Sequence, residues 1–222
     1  MSLIKRPPTL KMAPPGYHVV TRQARISRNG VRYFVKAHPR KNRGKKIVLL
    51  PENLLYLFWH GDLEYPTIGA VHGYPEYQEL DAVIQFWLNY WKEFGLPYPK
   101  NIDPMIVKVM IAVESSFRPK VGAKESSAFG LMQITDTSRK DVKHINDGFL
   151  DLERKDLEDP VINIAMGIRW LSYKFTCIEK SQRKDLFNTI KYYYDKRKGD
   201  EYAHKVLNLY NLSKHNKPSS VR

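Results

Sequence analysis

The chain has one cysteine, Cys177, among 222 residues, so no disulfide closes within it and no cysteine cage holds a metal. Its seven histidines are scattered and none pairs with another at helical ligand spacing, which argues against a structural metal site, and no cofactor is expected. No apolar run approaches the roughly eighteen residues of a membrane helix. The first twenty residues hold Lys5, Arg6 and four prolines but no apolar stretch, so no signal peptide is visible. Acid is missing from one end: residues 1–50 contain thirteen Lys or Arg and no Asp or Glu. The whole chain has 37 basic and 23 acidic residues, net +14, and beyond residue 50 the balance is 24 to 23. Such asymmetry points to a basic segment facing an anionic partner, with a different kind of domain behind it. A tail that only aids solubility is the plainer alternative. Hydrophobic residues at 42% and charged residues at 27% fit an ordinary globular chain of one large or two small domains.

Residues 1–16, with Pro7, Pro8, Pro14 and Pro15, read as extended and mobile. Residues 17–26 read as a strand, Ser27-Arg28-Asn29-Gly30 as a hairpin turn and residues 31–35 as the return strand. A basic loop follows over 38–46, then a third strand at 47–50, a short helix from Pro51 through Phe58, and an irregular stretch over 59–78. Residues 17–78 thus form a small basic β-rich module. From Leu80 the period becomes helical: Val83, Phe86, Trp87, Tyr90, Trp91 and Phe94 make an aromatic stripe, read as core-facing rather than as a sugar platform. Asp103 caps the next helix with Pro104 at its first position, and Asp159 and Pro160 open another. Residues 185–194 and 200–212 are two further amphipathic helices. The expected fold class is mainly α, a helical domain preceded by the β-rich module.

The chemistry concentrates in Ile111-Ala112-Val113-Glu114-Ser115-Ser116-Phe117. A nearly all-apolar helix ends in one carboxylate there. A carboxyl buried at such a helix end loses solvation and its pKa rises, which is what a general acid near neutral pH needs. A surface Glu beyond the last helical turn is the competing reading.

Glu114-Ser115-Ser116-Phe117, followed by Gly130-Leu131-Met132-Gln133-Ile134, resembles the lytic transglycosylase family with the soluble-type (SLT) catalytic domain. The likeness continues through Asp159-Pro160, Asn163-Ile164 and Gly167-Ile168-Arg169-Trp170-Leu171 and spans residues 96–212. It implies a goose-type lysozyme-like helical domain over 96–212, joined by an aromatic helix over 79–95 to the module and trailed by a tail over 213–222. It also implies that Glu114 is the sole catalytic acid and base. Glu114 would protonate the glycosidic oxygen between N-acetylmuramic acid and N-acetylglucosamine in peptidoglycan, then take the C6 hydroxyl proton as a 1,6-anhydro ring closes. Ser115 would orient Glu114 or touch substrate, Gln133 would bond a sugar, and Gly130 would let backbone approach the ligand. Met132 would line the cleft or pack in the core. Family members usually carry a Tyr-Asn pair in a late loop, where this chain has Tyr192-Tyr193-Tyr194-Asp195-Lys196-Arg197-Lys198. Tyr193 aligns with the family's tyrosine, which puts Tyr194 in the Asn position; a one-residue shift makes Tyr194 the functional hydroxyl. The Lys196-Arg197-Lys198 loop would contact peptide carboxylates.

Two-carboxylate glycosidases place a second acid across the cleft. Glu125, Asp136 and Asp141 are the candidates, read here as solvated loop or helix-start residues. One of them facing Glu114 would favour a hydrolytic muramidase. A further alternative is an inactive fold that binds the cell wall, or nucleic acid, through its basic module. For the enzyme, the module's partner would be an anionic wall polymer or a docking protein. The place of action would be the periplasm or cell wall of a bacterium, reached after removal of a leader or by a phage or secretion machine.

Overall fold

The computed structural model describes residues 3–6, 11–20, 23–27, 29, 31–41, 48–100, 102–120, 127–144 and 149–215. Helices dominate: α1 (Pro51–His60), α2 (Leu80–Glu93), α3 (Pro104–Ser115), α4 (Asp136–His144), α5 (Pro160–Thr176), α6 (Leu186–Tyr194) and α7 (Asp200–His215). The fold class is mainly α, and α2, α3, α5, α6 and α7 fall where the periodicity puts them. α5 is the central post, because residues 161–172 are all buried on every face. α1, α2, α4 and α6 pack around it, and α3 lies between α2 and α7. The aromatic stripe of α2 is core: Val83, Trp87 and Trp91 are fully buried, and the Trp91 indole donates to the Ala165 carbonyl of α5 at 3.0 Å. Only Phe94, at the stripe's end, is exposed.

The caps form as their chemistry predicts. The Asp103 carboxylate accepts from Met105 N at 2.9 Å, and the Asp159 carboxylate accepts from Val161 N and Ile162 N. Asp103 also accepts from the Tyr210 hydroxyl at 2.8 Å, which pins the end of α7 beside the start of α3. The two helices run antiparallel, so the first turns of α7 lie at the far end of α3, where Glu114 sits.

Four differences from the sequence reading have physical causes. Residues 11–16 are not a free tail, since Met12 and Ala13 are buried and the Asn53 amide of α1 donates to the carbonyls of Ala13, Pro14 and Tyr17. Residues 17–26 make two strands in separate ribbons: β1 (Tyr17–Val20) pairs with β4 (His38–Lys41), and β2 (Gln23–Ile26) pairs with β3 (Arg32–Val35). The expected third strand of the module is β5 (Val48–Leu49), but its partner is β8 (Phe149–Leu150), in parallel, far along the chain. Leu49, Leu54, Phe58 and Val71 consequently share one hydrophobic cluster with Trp87, Ile164 and Ile168, so residues 48–78 belong to the helical body and not to the module. The fourth difference is α4, which the periodicity did not announce because its DTSRKDVKH sequence has one large apolar residue, the buried Val142.

A buried ion pair holds α2 to α3. Lys108, fully buried in an otherwise apolar helix face, places Nζ 2.6 Å from Asp81 Oδ1 and donates to the Gly69 carbonyl at 2.6 Å. Asp81 Oδ2 accepts from Ile68 N at 2.9 Å.

Candidate active site

Helix α3 ends abruptly at Ser115, one residue past Glu114. Ser116 and Phe117 both take left-handed backbone, φ 51° and 60°, conformations that cost energy for residues with side chains and persist where the surroundings enforce them. Here the enforcement is aromatic. Tyr77 stacks on Phe117 at 4.3 Å, and Tyr74 meets the same ring edge-on while its hydroxyl donates to Ser116 Oγ at 3.3 Å. The irregular 71–78 segment thereby clamps the turn that follows Glu114.

Two cavities, of about 640 and about 430 Å³, meet at this carboxyl. Val113, Tyr194, Asp195, Lys198, Glu201, Tyr202 and Lys205 line the first; the second is lined by Ala128, Gln133, Thr135, Thr137, Ser138, Asp141, Trp170, Lys174 and Tyr193. Glu114 and Tyr194 belong to both. Burial pushes the Glu114 carboxyl up from its ordinary 4.5 to about 7, against the opposing pull of the Tyr202 hydroxyl and the Lys205 ammonium. No second carboxylate among the described residues adds to the rise, as one 5 Å away would. Tyr202 is buried beside Glu114, its own ionisation suppressed by burial and by the Glu114 charge.

The shift has a stability consequence. A group with a raised folded-state pKa favours folding below its unfolded value, and that contribution is lost as the pH rises through the folded one. For Glu114 the loss runs from pH 4.5 to about 7 and amounts to about 3 kcal/mol. Glu114→Gln cannot ionise and escapes it. Thermal unfolding should therefore give the variant a Tm about 5–10 °C above wild type at pH 8, with the gap closing by pH 4. An equal gap at both values would mean that the carboxyl is not desolvated.

The residues picked out in the sequence divide into cleft and backing. Gln133 and Tyr193 lie on the cavity wall with Glu114. Ser115 is buried and its hydroxyl donates to the Ile111 carbonyl within its own helix, away from Glu114 and from both cavities. Gly130, φ 72°, and Met132 lie behind the wall, in a turn between β6 (Ala128–Phe129) and β7 (Ile134–Thr135). A Cβ on Gly130 would run into the Asn163 side chain, and one on Gly167 would run into Met132. Asn163, fully buried on α5, donates to the carbonyls of Phe129 and Leu157 and accepts from Met132 N at 2.8 Å. The second and third sequence blocks therefore interlock, glycine against side chain in each direction, and together hold the turn that presents Gln133. The Tyr193 hydroxyl is committed to the Met132 carbonyl at 2.7 Å and steadies the same turn from α6.

Of the second-carboxylate candidates, Asp141 lines the cavity, Asp136 pairs with Arg139 at 3.3 Å outside it, and Glu125 falls outside the described residues. In the basic loop, Lys198 reaches the first cavity while Lys196 pairs with Glu179. Tyr202 and Lys205 escaped the sequence reading. Their only signal was three-residue spacing on a predicted helix, which puts them on one face, and nothing local says that this face meets Glu114.

The model of the Transglycosylase SLT domain family matches residues 96–193 of the chain. Among solved structures, the chain is similar to the 70 kDa soluble lytic transglycosylase SLT70 from Escherichia coli. The identity is 17% and the TM-score 0.36, over 73% of this chain and 25% of that one, so this chain spans about a quarter of that protein's length.

Proposed function

We propose that the protein is a peptidoglycan lytic transglycosylase that cuts the β-1,4 bond between N-acetylmuramic acid and N-acetylglucosamine, with Glu114 as acid and then base. The observation that carries the reading is one carboxyl, held half-protonated near neutral pH, at the junction of two cavities that can take sugars on either side of a bond. Glu114 gives its proton to the departing glycosidic oxygen. The sugar's own oxygens stabilise the oxocarbenium ion, the Glu114 carboxylate accepts the C6 hydroxyl proton, and the 1,6-anhydro ring closes without water. The match of residues 96–193 to the SLT domain family supports the reaction class. Mass spectrometry of products from purified peptidoglycan tests it: anhydro-muramyl ends, one water lighter than hydrolysis products, are expected. Reducing muramic ends would overturn the lyase. The hydrolytic reading keeps support in the carboxylates that share a cavity with Glu114, Asp141 in one and Asp195 and Glu201 in the other, and replacing the operative one by its amide would then abolish cleavage.

The two ribbons supply a wall-binding surface under this reading. Arg25, Arg32, Lys36, Arg40 and Lys41 are exposed, in a segment without one acidic residue, and Asn53 and Glu52 fasten β1 to the helical body. Anionic wall polymer and peptide-stem carboxylates complement that charge. Pelleting with insoluble peptidoglycan should fall steeply between 50 and 500 mM salt, because screening acts within about 10 Å. Replacing Arg25, Arg32, Arg40 and Lys41 with Gln should reproduce the high-salt result at low salt, while cleavage of short soluble glycans persists. Unchanged pelleting would remove the ribbons from the role. Among the described residues no helix is long and apolar enough to cross a membrane.

A further inference from the structure

Of the aromatic side chains that line the two cavities, Tyr194 is exposed while Trp170, Tyr193 and Tyr202 are buried. Tyr194 is the last residue of α6, and 59% of its surface is open. The other large apolar side chains exposed among the described residues, Ile26, Val31, Phe94 and Leu212, line neither cavity, whereas Tyr194 lines both, beside Glu114. Its ring is not loose. It lies flat on Tyr202 of α7, centroids 4.8 Å apart and planes 15° from parallel, so one face is covered and the other left open. Tyr202 is itself buried.

The sequence between the two rings builds this stack. The Asp195 carboxylate accepts from Arg197 N at 2.7 Å and from Lys198 N at 2.8 Å, which folds the chain back immediately after Tyr194. Gly199 completes the reversal, since a Cβ there would strike the carbonyls of Lys191 and Asp195. Ala203 N then bonds the Gly199 carbonyl at 2.9 Å as α7 begins, and Tyr202 arrives under Tyr194. Both tyrosines lie beyond residue 193, where the family match ends.

From this geometry we infer that Tyr194 is a sugar-stacking platform, which binds the pyranose rings flanking the scissile bond through its open face. The inference rests on the glycan-cleaving reading above and adds the residue that holds the substrate. A pyranose in its chair form has a face of axial C–H bonds, apolar and slightly positive, and the electron-rich face of an aromatic ring complements it. A ring already immobilised by Tyr202 loses little further freedom on binding. Because Tyr194 borders both cavities, it contacts the sugars on the two sides of Glu114 and not a distant part of the strand.

The test is calorimetric binding of a purified muramyl tetrasaccharide, GlcNAc-MurNAc-GlcNAc-MurNAc, to the full chain carrying Glu114→Gln so that the ligand survives. Tyr194→Ala in that background should weaken binding on the order of tenfold, the scale of a lost stacking contact. Tyr194→Phe should bind as tightly as its parent. Since Tyr194 is exposed, an unchanged Tm in both variants is expected and is checked alongside. Equal binding by Tyr194→Ala would overturn the platform and leave the enzyme reading intact. Binding by Tyr194→Phe as weak as by Tyr194→Ala would overturn stacking, since the hydroxyl would then make the contact. No cleavage of peptidoglycan by wild type, with no binding by Glu114→Gln, would instead bring down the glycan reading and the platform with it.

Discussion

Glu114→Gln is expected to lower the release of soluble muropeptides from peptidoglycan by about 10²–10⁴-fold, the range of a lost general acid–base, while the protein stays folded and becomes more heat-stable above pH 7. The size of the loss follows from the site. One carboxyl serves both proton transfers in the proposed reaction, and among the described residues no second carboxylate raises its pKa. Gln fills the same space and keeps hydrogen-bonding capacity, so the loss would report the proton alone. Wild-type kcat/KM should in turn fall on the alkaline side with a midpoint at about pH 7, because the free enzyme must enter the reaction protonated. A variant retaining a tenth of the activity would remove Glu114 from the chemistry.

Lys108→Met should destabilise the fold by about 3–5 kcal/mol, lowering Tm by about 10 °C or more. The variant leaves the Asp81 carboxylate buried without its cation, 2.6 Å from where the ammonium stood. The compensating change is informative. Lys108→Met combined with Asp81→Leu removes both charges and should recover most of the loss, because a buried pair often contributes little beyond what packed apolar groups would. Thermal unfolding of the two singles and the double gives the coupling directly. A single variant costing under 1 kcal/mol would mean that water reaches the pair.

The legible parts of this fold are those whose cause is local. Val83, Trp87 and Trp91 recur at helical spacing, and one face of α2 is buried as that spacing requires. Asp103 and Asp159 precede prolines and cap helices through their own carboxylates. What stayed hidden depends on partners distant in sequence. Nothing near Val48 names Phe149 as its neighbour, nothing in the apolar run of α3 says that Lys108 will find Asp81, and α4 has too few apolar residues to show a period. The site follows the same division. Glu114 could be read from a carboxyl at an apolar helix end. Tyr202 could not, because its closeness to Glu114 arises from the antiparallel course of α3 and α7. Ser115, Gly130 and Met132 were legible as positions of interest, but a sequence does not say which way a side chain faces. The structure turns all three inward, to a helix carbonyl, to Asn163 and to Gly167.

The pairing of Val48–Leu49 with Phe149–Leu150 bears on how this molecule can be divided. The segment matched by the family model begins at residue 96, yet the hydrophobic cluster around α5 is completed by Leu49, Leu54, Phe58 and Trp87 from upstream and by Val206 from downstream. Excised at the family boundaries, the piece would expose the flanks of α5 and leave Tyr202 behind. A transplantable unit for chimeras would have to keep residues 11–16 together with residues 48–215, with the ribbons alone offered for exchange. Under the proposed function, swapping those ribbons for another binding element would redirect the protein to a different surface and leave the residues around Glu114 in place.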